Sequence, residues 1–121
     1  MQTIEELKRH SDQPVIVADS QGIVIDVNTH FETIFGWQHS EIVGKPLTVV
    51  LPVYFRDSHH MGFSRFTATG VSTILNHPLK LKALTKDNQE ILSEHFIIAE
   101  KQNDQWIFGA ILKPLPEENG E

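Results

Sequence analysis

The chain has 121 residues, a formal net charge of −6 and no cysteine. This length fits one domain with one hydrophobic core, and the missing cysteine excludes disulfides, thiolate metal sites and cysteine nucleophiles. Ten Lys and Arg residues, scattered among sixteen Asp and Glu, argue against nucleic acid or an anionic membrane as a partner. No apolar run approaches the ~20 residues of a membrane span, so we expect a cytoplasmic protein.

The N-terminal residues predict a short helix. Thr3 and Glu6 stand in the capping-box arrangement, in which each side chain accepts a backbone N–H from the other residue. Ile4 and Leu7 supply an apolar stripe that is too narrow for a helix stable by itself. We therefore expect residues 1–12 to form a helical arm that packs either on the domain or on a second copy of the chain.

Two β-branched segments then predict a hairpin. Residues 14–19 and 23–27 are rich in Val and Ile, as strands are. The turn between them contains Gly22, which is suited to a positive φ.

Short helical segments follow the hairpin. Asn28 is a typical N-cap for a helix over Thr29–Phe35, and Gly36 is a typical end for it. Ser40–Val43 predicts a single helical turn. A longer helix is predicted over residues 53–68.

The last part of the chain predicts three strands. They lie within residues 72–85, 90–100 and 105–113 and are separated by tight-turn signals. Because the strands are grouped and do not alternate with helices, we expect an antiparallel sheet in an α+β domain over residues 13–113. Residues 114–121 predict a solvated acidic tail.

The order of these elements and several short motifs resemble the PAS domain family. The matching residues are Pro14–Asp19, Gly22–Val24, Asn28, Phe31, Phe35–Trp37, Glu41–Pro46 and Lys86–Asn88. The resemblance implies a five-stranded antiparallel sheet in the order 2-1-5-4-3, with short helices across one face. It also implies a sensory or protein-interaction role, commonly as a homodimer that acts on a signalling output domain or partner protein.

Within the family, Arg56–Gly70 resembles the heme-binding PAS domains of oxygen-sensor histidine kinases. This resemblance implies that His59 is the axial ligand of the heme iron and that Arg65 meets a heme propionate. The chemistry is consistent, because a neutral imidazole suits iron and a guanidinium pairs with a carboxylate. The alternative for His59 is a capping or core histidine.

The distal side of such a heme site is matched less well. Ile74 and Ile97 fall where those sensors have apolar residues. Leu79 stands where some of them place an arginine, and Gly62 replaces an aromatic residue. The sequence therefore leaves the cofactor open, with heme as the most concrete candidate.

His95 is a second candidate ligand-binding residue. It shares its predicted strand face with Ile97, and by the heme-sensor resemblance that face looks into the cavity. His95 would then be a distal ligand or a hydrogen-bond donor. The opposite face carries Leu92, Phe96 and Ile98 and is equally apolar, so the alternation leaves open which face is the inner one.

Two functions follow from these patterns. The first is a ligand-sensing module, and the second is a cofactor-free interaction module whose outer face, with Leu92, Phe96 and Ile98, forms the homodimer contact. Catalysis is not predicted. Asp57–His59 are consecutive and cannot converge as a catalytic triad, and no phosphate-binding glycine loop is present.

Overall fold

The computed structural model describes residues 3–10, 12–52 and 78–116. Helices α1, α2 and α3 span Ile4–His10, Thr29–Phe35 and His39–Ile42, and a 3₁₀ turn spans Leu47–Val50. Strands β1 to β5 span Val15–Ala18, Val24–Val27, Pro78–Leu84, Glu90–Gln102 and Gln105–Pro114. The helix predicted over residues 53–68 lies outside the described residues.

The five strands form one antiparallel sheet in the order β2-β1-β5-β4-β3. This confirms the α+β class and the strand order that the family resemblance implied. The strands nearest the two ends of the chain, β1 and β5, lie side by side. The longest ladder joins β4 to β5 and runs from Ser93 opposite Pro114 to Gln102 opposite Gln105.

The β1–β2 hairpin is closed by a side chain as well as by its glycine. Asp19 Oδ1 accepts hydrogen bonds from the backbone N–H groups of Gln21, at 2.9 Å, and Ile23, at 3.0 Å. Gly22 has a φ of 80°, as the turn requires. Strand β2 begins one residue later than predicted, because Ile23 forms an isolated bridge with Pro46.

Asn28 joins helix α2 to the centre of the sheet. Its Oδ1 accepts the backbone N–H groups of Phe31 and Val15, each at 3.0 Å. Its Nδ2 donates to the carbonyl oxygen of Gln13 at 2.9 Å. The predicted N-cap is confirmed, and Gly36 ends the helix in the left-handed conformation.

One face of the sheet, the inner face, packs on α2 and α3. The rings of Phe31 and Phe35 stack at a centroid distance of 4.9 Å, and both side chains are fully buried. The buried cluster on this face comprises Ile16, Val24, Val27, Phe31, Phe35, Ile42, Val50, Ala83 and Leu112.

The opposite, outer face of the sheet carries α1. The capping box is confirmed, since Thr3 N–H donates to Glu6 Oε1 at 2.9 Å and Glu6 N–H donates to Thr3 Oγ1 at 3.1 Å. Ile4 and Leu7 are only 4% and 1% exposed. Of the two positions left open for the arm, α1 therefore takes the one on its own domain.

The packing of α1 on the outer face shows that one prediction about this face is wrong. Ile98 was expected to be an exposed dimer contact, but it is only 5% exposed. The reason is that Ile4 and Leu7 pack with it in one buried cluster. Leu92 and Phe96, on the same face of β4, are half-buried.

Helix α1 crosses the strands along a single row of the sheet. The strand registers place Ile98, Gly109, Val17 and Asp26 side by side on β4, β5, β1 and β2. At the β4 end, Ile4 N–H donates to Glu100 Oε1 at 2.9 Å. At the β2 end, Lys8 Nζ lies 2.5 Å from Asp26 Oδ2. Both ends of the helix are therefore tied to the sheet.

Gly109 lies directly beneath this helix. A Cβ atom at Gly109 would lie 3.0 Å from Ile4 Cγ1 and 3.4 Å from Leu7 Cδ1. Alanine in a strand ordinarily costs less conformational entropy than glycine. We predict instead that Gly109→Ala lowers the free energy of unfolding by about 1–3 kcal/mol, because the added methyl group overpacks the interface. Urea unfolding followed by tryptophan fluorescence measures this change.

A double-mutant cycle with Ile4→Ala is the control for this prediction. Truncation of Ile4 removes the nearest contact, so Gly109→Ala should cost less than about 0.5 kcal/mol in that background. An equal cost in both backgrounds would show that the contact with α1 is not the cause.

Candidate functional site

The candidate site is a buried polar strip on the inner face of β4. His95 lies opposite Leu112 in the β4–β5 ladder, and Leu112 belongs to the inner cluster. Residues directly opposite one another on neighbouring strands share a face. The structure therefore places His95 on the inner face, where its side chain is only 5% exposed.

Burial determines the charge of this histidine. Loss of hydration lowers the pKa of His95 to about 4, although a hydrogen bond to the backbone of Leu81 acts in the opposite direction. The imidazole is therefore neutral at neutral pH. Its Nε2 atom is buried and finds no hydrogen-bond partner among the described residues. A buried polar atom without a partner costs about 1–3 kcal/mol.

Ser93 is the other polar residue of this strip. It precedes His95 by two positions and is fully buried. Its hydroxyl group donates to the carbonyl oxygen of Ile91 at 3.1 Å. Ser93 is therefore satisfied within its own strand, and the unpaired atom of the strip is the His95 nitrogen.

Of the other residues predicted for the site, two lie near His95 in the described part of the chain. Ile97 is half-buried and shares the inner face with His95. Leu79 lies opposite His95 in the β3–β4 ladder, which places its backbone beside the strip. The residues outside the described part of the chain are His59, Arg65 and Ile74.

A carboxylate that the sequence analysis missed connects α1 to the rest of the domain. Asp26 Oδ2 pairs with Lys8, and Asp26 Oδ1 lies 3.0 Å from His39 Nε2 in α3. Burial raises the pKa of Asp26, but the hydrogen bonds and charges of Lys8 and His39 outweigh it and lower the pKa overall. Asp26, Lys8 and His39 come from three different elements that are at least 13 residues apart in sequence, so no local pattern could reveal the network.

A shallow groove of about 630 Å³ lies between α2 and α3, and Trp37 lines it. The Trp37 Nε1 atom is buried, and no residue in the described part of the chain forms a hydrogen bond with it. Lys86 Nζ lies 5.9 Å from the centre of the Trp37 ring and pairs with Glu41. The groove is open to solvent, and Trp37 packs on the core.

The described ranges, 3–10, 12–52 and 78–116, contain no group of three His, Asp or Glu side chains that could hold a metal ion. If heme were bound at His95, its porphyrin nitrogens would supply the other ligands of the iron. None of the helices in these ranges is long and apolar enough to cross a bilayer.

Comparison with known proteins identifies the family. A model of the PAS fold matches residues 2–91. The chain belongs to the PAS family. The resemblance to the PAS family is thereby confirmed, and PAS domains are sensory and signalling modules.

An uncharacterized protein of Azorhizobium caulinodans is 29% identical to this PAS domain over 104 residues. The match covers 85% of this chain but 14% of that protein, so the chain corresponds to a small part of a longer relative. A PAS domain from Colwellia psychrerythraea is 15% identical, with a TM-score of 0.72 and 92% of each chain covered.

A domain of a sensory box sensor histidine kinase/response regulator from Geobacter sulfurreducens is 18% identical to this chain. Its TM-score is 0.62, and the match covers 90% of this chain and 89% of that one. At such identities the two solved structures show the shared fold.

The unusual pKa of His95 predicts how the stability of this PAS domain depends on pH. The histidine has a pKa of about 4 in the folded state and about 6.5 when unfolded. Between these values the unfolded chain binds more protons, so stability falls as the pH falls. We expect His95 to account for a loss of about 2 kcal/mol between pH 7.5 and pH 5, measured by urea unfolding at both pH values.

His95→Leu removes this titration and should lose about 2 kcal/mol less than the wild type over the same interval. His30 is exposed on α2, so His30→Ala is the matched control and should keep the wild-type dependence. If His95→Leu and the wild type lose the same stability, His95 is not a buried neutral histidine.

Proposed function

We propose that this PAS domain is a sensory module that binds a small ligand on the inner face of its sheet. The observation that carries the proposal is the buried Nε2 atom of His95, which has no partner among the described residues. Buried polar atoms in folded proteins are nearly always paired, and functional sites account for many exceptions. A ligand that pairs with this nitrogen removes the cost of its burial.

The chemistry of the imidazole narrows the class of ligand. The ring is neutral, and its hydrogen bond to the Leu81 backbone raises the pKa, as a ring N–H donating to a carbonyl does. Nε2 then carries a lone pair, which accepts a hydrogen bond or binds a metal. The ligand is therefore a largely apolar molecule with a hydrogen-bond donor, or a metal-containing cofactor.

Heme is the most concrete cofactor, because a single imidazole on one side is sufficient to hold it. When bound, heme supplies an iron atom that can take a diatomic gas. His59 as axial ligand and Arg65 as propionate partner remain predictions from the family resemblance. The same resemblance predicts Ile74, Leu79 and Ile97 as further residues of the proposed site.

Strand β4 supplies the route by which the bound state reaches a partner. His95 lies on its inner face, while Ile98 and Glu100 of the same strand contact α1 on the outer side. A ligand that shifts β4 changes the population of the docked α1, and a signalling output domain or partner protein responds to that change. The module itself performs no catalysis, and its cytoplasmic location remains a prediction.

A second candidate function is a cofactor-free interaction module that forms a homodimer. The observation that favours it is a pair of partly buried apolar residues, Phe96 and Ile111, which pack beside α1 on the outer face. Ile98, which was expected at this contact together with Leu92 and Phe96, is already covered by α1. Sensing and dimerisation are compatible, because a dimer contact on the outer face is a means of reading the ligand state.

Native mass spectrometry of the freshly purified chain, followed by hemin titration, tests the sensory function. We expect a bound mass in addition to the protein, or a Soret band on titration. His95→Leu should raise the dissociation constant of the bound ligand at least about tenfold, which corresponds to a loss of about 1.4 kcal/mol of binding free energy. His30→Ala, an exposed histidine on α2, serves as the control and should bind as the wild type does.

The substitution His59→Ala separately tests the hypothesis that the ligand is heme with His59 as its axial ligand. A Soret band that survives this substitution unchanged would exclude His59 as the axial ligand. No band and no bound mass in the wild type would overturn ligand sensing and leave the interaction module. Equal binding by the wild type and His95→Leu would show that the ligand does not use Nε2.

A further inference from the structure

The polar strip on the inner face of β4 presents hydrogen-bond acceptors. The Nδ1 atom of His95 donates its hydrogen to the backbone carbonyl of Leu81. The hydroxyl hydrogen of Ser93 is used in the same way by the carbonyl oxygen of Ile91, at 3.1 Å. Both hydrogens of the strip are therefore engaged within the sheet. The buried atoms left for a ligand, Nε2 of His95 and Oγ of Ser93, offer only lone pairs.

The surroundings of His95 on this face are uncharged. Ile97, two residues along β4, and Leu112, the β5 partner of His95, are both apolar. Glu94 precedes His95 in sequence but lies on the outer face, together with its β3 partner Lys80. The charged residues beside the strip in sequence are thus separated from it by the sheet.

The nearest charge at an inner-face position of strands β3 to β5 belongs to Lys101. This residue lies six positions beyond His95 on β4, which is about 20 Å along a strand. Its Nζ atom lies 5.7 Å from the centre of the Trp106 ring. No cation at the inner-face positions of these three strands is therefore close enough to compensate an anion at Nε2. A carboxylate or phosphate there would lose its hydration and meet a lone pair.

A hydrogen-bond donor fits these atoms better than a metal ion does. Protein sites for transition metals combine several nitrogen, sulfur or carboxylate ligands. The ranges 3–10, 12–52 and 78–116 contain no group of three His, Asp or Glu side chains that could do so. The other acceptor of the strip, Ser93 Oγ, is a hydroxyl oxygen, which accepts a hydrogen bond but is not among those ligands. The strip is therefore suited to an N–H or O–H group.

We propose that the part of the ligand in contact with β4 is an uncharged N–H or O–H donor on an apolar body, such as a phenol, and that it donates to His95 Nε2. The proposal rests on the proposed sensory function and assigns the chemical class of the ligand at that same site. An uncharged donor pairs with Nε2 and brings no charge into buried apolar surroundings. An anionic group, or an apolar molecule without a donor, leaves Nε2 unpaired.

A comparison of phenol with fluorobenzene tests the donor. The two molecules have nearly the same shape, but only phenol carries an O–H group. We expect the ratio of the fluorobenzene dissociation constant to the phenol dissociation constant to be at least about tenfold larger in the wild type than in His95→Leu. Comparing ratios cancels the different hydration of the two probes. Titration calorimetry at pH 7.5 measures the four constants.

Two variants and a third probe are the controls. Ser93→Ala should change the ratio less than about threefold, because phenol has one donor and Nε2 takes it. His30→Ala, on the exposed side of α2, should leave the ratio unchanged. Benzoate, which is ionised at pH 7.5, should bind the wild type at least about tenfold more weakly than phenol. Urea unfolding of each variant establishes that it is folded.

Nitrogen NMR of wild-type protein with isotope-labelled histidine tests the same contact without a substitution. The resonance of an unprotonated ring nitrogen moves when that nitrogen accepts a hydrogen bond. We expect saturating phenol to move the Nε2 resonance of His95 and fluorobenzene to leave it in place. A proton on Nε2 in the unliganded chain would overturn the proposal, because the nitrogen would then be a donor.

The outcomes separate the class of the ligand from the sensory function itself. The donor class is overturned by equal probe ratios in the wild type and His95→Leu, by benzoate binding as tightly as phenol, or by no binding of the three probes at millimolar concentration. A hemin complex whose Soret band is lost in His95→Leu also overturns it, because the iron then takes Nε2. In each case a bound mass or a Soret band still supports the sensory function, and the absence of both overturns that function as well.

Discussion

The close approach of α1 to Gly109 is the constraint on which the outer half of the structure depends. Because residue 109 has no side chain, Ile4 and Leu7 reach the sheet and bury its central row. Tethers at Glu100 and Asp26 then give the helix one direction across the strands. That direction decides which apolar residues stay covered and where the acidic first turn lies.

Strand β4 connects this outer layer to the inner face. It carries His95 toward the core and, on the other side, residues that support α1. The His95 Nε2 atom has no partner among the described residues. A buried polar atom in that state costs about 1–3 kcal/mol, a sizeable part of the roughly 5–15 kcal/mol that stabilises an ordinary domain. A ligand that pairs with Nε2 regains this energy, and β4 offers a direct route from that event to α1.

Much of the fold could be predicted from local sequence, because the signals act over a few residues. The capping box at Thr3 and the N-cap at Asn28 were both read correctly, since each depends on a side chain and a backbone group three residues apart. The family motifs supplied the strand order. The bridge between Ile23 and Pro46 was missed, because it joins segments that only the tertiary fold brings together.

The sequence by itself determined that His95 lies on a strand with two apolar faces. It also determined that Ile4 and Leu7 form an apolar stripe that must be buried against another surface. It could not determine the face on which His95 lies, because alternation has a period of two and both sets of residues were apolar. The tertiary structure decided this when α2 and α3 packed on one side and α1 covered Ile98 on the other. The Asp26 network was likewise decided by tertiary structure, because its three members meet only after β2, α1 and α3 have packed.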